Sequence, residues 1–99
     1  MMILLQVEFG RESYPKVVEL YSHFDRILQK MEHFRVAQFS FLLELSAVQM
    51  TMLENFCRKA SLPFFALELM GQIRSTWIAR PDVSEWLRGK GVPVGPIEF

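Results

Sequence analysis

Cys57, His23 and His33 are the side chains best suited to nucleophilic or metal chemistry, and their spacing decides how much they could do. A single cysteine forms no internal disulfide and no site of several thiolates. Cys57 falls on the apolar face of a helical stretch, far in sequence from a helix start, where a thiolate would be stabilised. It reads as inert core; a single-thiol regulator acting through Cys57 is the alternative that would use it. The histidines stand ten residues apart, without further ligands at the short spacings of a zinc site, and read as surface or helix-end residues. No catalytic constellation is visible, so no enzyme, cofactor or metal is expected.

Composition narrows the classes further. Ninety-nine residues, 51% hydrophobic and 22% charged, suit one globular domain able to bury a core without disulfides or metal. Eleven basic residues balance eleven acidic ones, which removes the concentrated positive face that nucleic-acid binding needs. The opening MMILLQVEF lacks a basic lead and is too short to span a membrane. The expectation is a cytoplasmic protein with neither nucleic-acid nor membrane partners. Nine Phe and six Met read first as core, with some left for a partner surface.

The elements that would position these residues follow from periodicity. Phe34 to Leu45 has one wholly apolar parity (Ala37, Phe39, Phe41, Leu43, Leu45) and one half-apolar parity, which reads as a central strand covered by helices. Met2 to Phe9 alternates as a first strand. Ser13 is a candidate N-cap and Pro15 suits the first turn of a helix; Val17, Leu20, Tyr21, Phe24, Ile27, Leu28 and Met31 give that helix an apolar stripe. Ser46 and Gln49 form a capping-box pattern, opening a second helix to about Ala60 with Met52, Leu53, Phe56, Cys57 and Ala60 on one face. Phe64 to Met70 and Ile73 to Arg80 read as strands joined antiparallel by a Gly71-Gln72 turn. A second capping box, Asp82 to Glu85, opens a short helix ended by Gly89 or Gly91. Residues 92–99 read as an extended tail. Helical crossovers imply parallel pairing of the first strands.

This β-α-β-α-β-β-α order, with a proline opening the third strand, resembles the thioredoxin-like fold: an α/β sandwich with a mixed four-stranded sheet flanked by helices. Phe9 to Lys16, FGRESYPK, is similar to a shortened form of the family's strand-to-helix segment ending Cys-Gly-Pro-Cys-Lys. Val36-Ala37-Gln38 resembles its Val-Ala-Lys, and Leu62-Pro63-Phe64 its Ile-Pro-Thr, whose proline is cis. Trp77 to Asp82 falls where the family has its last strand and the loop to its final helix. Ser13 and Lys16 stand where the family has two thiols, and a hydroxyl forms no mixed disulfide. The resemblance therefore implies a redox-inactive member. Glu8 takes the place of the family's buried carboxylate, and Gln38 that of its lysine partner.

What the resemblance implies for function is a single domain, 1–99, binding an extended segment of another protein. Three loops would form its groove: Ser13, Tyr14, Pro15; Leu62, Pro63, Phe64; and Ala79, Arg80, Pro81. The expected role is that of an adaptor, accessory chaperone or regulatory subunit, with homo-oligomerisation left open. The competing architecture is a ferredoxin-like α+β fold pairing its sheet into a homodimer around a small ligand.

Overall fold

The computed structural model describes residues 1–9, 14–74 and 78–95, and of Tyr14 the backbone alone. The chain divides into two compact units, Met1–Leu69 and Met70–Phe99.

In the first unit β1 (Met2–Val7) is followed by α1 (Tyr14–Leu28), β2 (Glu32–Ala37), β3 (Ser40–Glu44), α2 (Ala47–Lys59) and β4 (Phe64–Leu69). The sheet order is β2-β3-β1-β4, and every adjacent pair is antiparallel. Two expectations are corrected here. The run 34–45 is a hairpin rather than one strand, turning at Gln38-Phe39. The parallel partner for β1 is not formed either: β1 runs antiparallel to both β3 and β4.

Direction explains the discrepancy. Since β1 and β2 each run antiparallel to β3, they are parallel to each other, as a helical crossover requires. They are simply not neighbours, because the return strand of the hairpin occupies the slot between them. Likewise β3 and β4 are parallel across β1. This split β-α-β-β-α-β connectivity is the one the ferredoxin-like alternative requires.

Strand alternation sends Ile3, Leu5 and Val7 to one face, where Phe41 and Leu43 join them. The helices close that face. Phe24 and Leu28 of α1 and Leu53 and Cys57 of α2 are buried there, with Phe9, Leu45 and Leu62. Phe24 has no exposed surface and touches the rings of Phe9, Phe41 and Phe56 at centroid distances of 5.7, 5.4 and 5.9 Å, within the range where tilted ring pairs attract. The α2 stripe is narrower than expected: Met52 is exposed, and Met50 takes its place against the core. The first capping box forms as its residues dictate. Gln49 N donates to Ser46 Oγ at 3.2 Å, and Ser46 N donates to Gln49 Oε1 at 3.0 Å.

In the second unit β5 (Ile73–Arg74) lies parallel to β6 (Val94–Gly95), with α3 (Pro81–Gly89) between them in sequence. Of the expected strand 73–80, the described residues form strand at Ile73–Arg74 alone, paired in parallel with the tail; residues 75–77 lie outside the described residues. The second capping box does not form. Pro81 starts α3 two residues earlier than an Asp82 N-cap would, Arg80 becomes the N-cap without a side-chain cap bond, and Asp82 instead accepts from Arg80 Nη2 at 2.7 Å. Gly91, at φ +80°, completes the turn that ends α3: its amide donates to Arg88 O, and that of Val92 to Leu87 O.

Candidate functional site

The two edges of the four-stranded sheet differ in how they meet solvent. A sheet edge is a row of unpaired backbone donors and acceptors, and folded proteins blunt it with charges, proline or a bulge. On β2 this has been done: the ladder shifts register between Arg35 and Ala37, and Glu32 and Arg35 are exposed. On β4 it has not. Its sequence, FFALEL, holds no proline and no basic residue, and six successive residues pair with β1 without a shift, from Met2–Leu69 to Val7–Phe64. Phe65 and Leu67, opposite Gln6 and Leu4, point away from the helices and remain 48% and 53% exposed. Glu68 is the lone charge. This is the surface chemistry of a strand able to accept another strand.

A second feature lies at the end of the same unit where β1 finishes. A cleft of about 250 Å³ opens between α1 and the β2–β3 turn, lined by Val17, Val18, Tyr21, Ser22, Arg35, Gln38 and Phe39. The helical spacing of Val17, Val18, Tyr21 and Ser22 puts them on adjoining faces of α1. Arg35 Nε and Nη2 both donate to the Gln38 carbonyl, at 3.3 and 3.0 Å, which holds the guanidinium 5.4 Å over the Tyr21 ring. The Tyr21 ring in turn stands 5.4 Å from Phe9 and 5.9 Å from Phe39.

The residues singled out from sequence are distributed unevenly. Ser13 lies outside the described residues, as does the side chain of Tyr14; the Tyr14 backbone begins α1, with Pro15 exposed in its first turn. Leu62 is buried in the core and so presents nothing to a partner. Pro63 is exposed, and no cis peptide bond occurs among the described residues, so the isomer that the resemblance leaves open is trans here. Phe64 packs partly against the core at the start of β4. The Pro63 loop belongs to the end of the sheet where β1 finishes, since Glu8 N donates to Pro63 O at 2.8 Å. Ala79, Arg80 and Pro81 belong to the second unit. Ala79 is exposed, Pro81 opens α3, and Arg80 is held on Asp82; that hydrogen bond is the main cause keeping the Asp82 carboxyl below its ordinary pKa.

Cys57 has no exposed surface, and burial pushes its thiol up to about 11, the reverse of what a nucleophile needs. Glu8 is exposed rather than buried. Among the described residues no group of His, Cys, Asp or Glu is arranged to hold a metal, and no helix is long and apolar enough to cross a membrane.

Phe65, Leu67 and the Arg35–Tyr21 pair were not picked out from the sequence. A signal for the first two exists in FFALEL, an apolar strand without the lysine or proline an edge usually carries. Nothing in the sequence announces that Arg35 and Tyr21 meet. Comparison with protein-family models, curated proteins and solved structures finds no match for the chain.

Proposed function

We propose that this chain is a non-enzymatic protein-binding module that takes an extended segment of another protein onto the outer edge of β4, which pairs only with β1 among the described residues. The observation that carries the reading is the contrast between edges: β2 shifts register and carries exposed charges, whereas β4 pairs without a shift, is uncharged but for Glu68, and exposes Phe65 and Leu67. Strand addition draws affinity from main-chain hydrogen bonds and selectivity from alternate side chains. Here the alternate side chains facing away from the helices are apolar, so the preferred segment alternates apolar residues on that face. The proposed site keeps Phe64 from the expected groove and moves its centre along β4.

The reading is tested by panning a display library of short random peptides against the protein and measuring affinities of the enriched sequences. Phe65→Lys and Leu67→Lys, which blunt the edge as lysine does elsewhere, should each weaken binding by about tenfold or more. Val48→Lys, on an exposed position of α2, should leave it unchanged. Failure to enrich alternating apolar peptides, or binding indifferent to both β4 substitutions, contradicts the proposal. A concentration-dependent dimer in sedimentation, dissolved by Leu67→Lys, would reassign the edge to a second copy of this chain.

A further inference from the structure

We infer that the cleft between α1 and the β2–β3 turn is a binding site for a small monocarboxylate with an aromatic or branched apolar body. Volume sets the size of the guest. An enclosed cavity of about 150 Å³ holds a benzene molecule, and drug-sized ligands need about 300 Å³ or more; the 250 Å³ here fits one ring and a short acidic arm. The walls set its polarity. Val17, Val18 and Phe39 supply apolar surface, and Val18 is half exposed, so an apolar body would cover surface now in contact with water.

Charge sets its sign. Arg35 brings a full positive charge to the cleft and pairs with no carboxylate among the described residues; its contacts are the Gln38 carbonyl and the Tyr21 ring. Nε is committed to that carbonyl, while Nη1 retains its donors, and a guanidinium is suited to a planar carboxylate. The two hydrogen bonds to Gln38 O and the stacking on Tyr21 fix the guanidinium before a ligand arrives, which reduces the ordering cost of binding. A neutral apolar molecule would leave this charge uncompensated, and a bare small anion would leave the apolar wall wet. The site selects for both properties in one molecule.

Phenylacetate, benzyl alcohol and acetate separate those contributions when titrated at millimolar concentrations into the 15N-labelled full chain. Phenylacetate should shift the amides of Val18, Ser22, Gln38 and Phe39 in a saturable way. Benzyl alcohol and acetate should each bind about tenfold more weakly or worse. Arg35→Gln should remove the preference for phenylacetate over benzyl alcohol, and Val18→Glu, which places a competing carboxylate at the rim, should abolish binding while leaving the rest of the spectrum intact. The inference is overturned if phenylacetate causes no saturable shifts at these residues, if benzyl alcohol binds as well as phenylacetate, or if a folded Arg35→Gln variant keeps the preference.

Discussion

The amide of Glu8 donates to the carbonyl oxygen of Pro63 at 2.8 Å, one step beyond the Val7–Phe64 pair. The β1–β4 ladder is therefore continuous up to the point where the chain leaves the Pro63 loop. β4 is held along its inner side by a central strand whose Ile3, Leu5 and Val7 are buried in the core. Its outer side is formed in the free chain, which would lower the cost of the strand addition proposed above.

Phe24 joins both halves of the core through its contacts with Phe9, Phe41 and Phe56. Phe24→Ala should cost about 3–5 kcal/mol, a large share of the roughly 5–15 kcal/mol available to a domain of this size. Urea denaturation should show an earlier midpoint, or a chain already partly unfolded in buffer. Phe24→Leu, which refills most of the volume, should lose much less.

The capping box makes a prediction about coupling. Ser46→Ala should lower stability by about 1 kcal/mol. Because Ser46 and Gln49 each satisfy the other's amide, the double change with Gln49→Ala should cost less than the sum of the single ones, by about 0.5 kcal/mol or more. Additive losses would mean that the two hydrogen bonds act independently.

Cys57 predicts a pH response in a defined window. Its thiol moves from an ordinary 9.0 to about 11 on burial, so between these values the unfolded chain releases the proton while the folded chain keeps it. The stability linked to this group is full below about pH 9 and is lost as pH rises to about 11, since folding is then favoured less with each proton the unfolded state gives up. The difference in pH dependence between the native chain and Cys57→Ala isolates it. Iodoacetamide at pH 8 should label the folded protein only as fast as it opens.

The elements with strong local signals were legible in the sequence: β1 from its alternation, α1 from the Val17–Tyr21–Phe24–Leu28 stripe, α2 from Ser46 and Gln49. The hairpin within 34–45 was not. Its turn, Gln38-Phe39, has none of the glycine, asparagine or proline that marks most reversals, and the apolar run passes through it because Phe39 itself packs against the core. The register shift between Arg35 and Ala37 further blurs the parity on which a strand assignment depends. Read as one strand, 34–45 gives an element order that resembles a thioredoxin-like chain, and parallel pairing follows from that order. The Asp82–Glu85 box failed for a local reason: Pro81 pre-sets the first helical turn, and Arg80 claims the Asp82 carboxylate. The proposed β4 site was only partly legible, because edge or centre is a property of sheet order rather than of FFALEL alone.

Amide hydrogen exchange, read residue by residue with and without a peptide enriched for binding, tests the central claim most directly. Backbone amides of β4 whose N–H groups face away from β1 should exchange quickly in the free protein, as unpaired edge donors do. They should become protected by about tenfold or more when the peptide adds as a strand. The amides of β2 and of α1 should be unchanged. Protection appearing on β2 or along α1 instead, with the outward amides of β4 still exchanging freely, would contradict strand addition at β4.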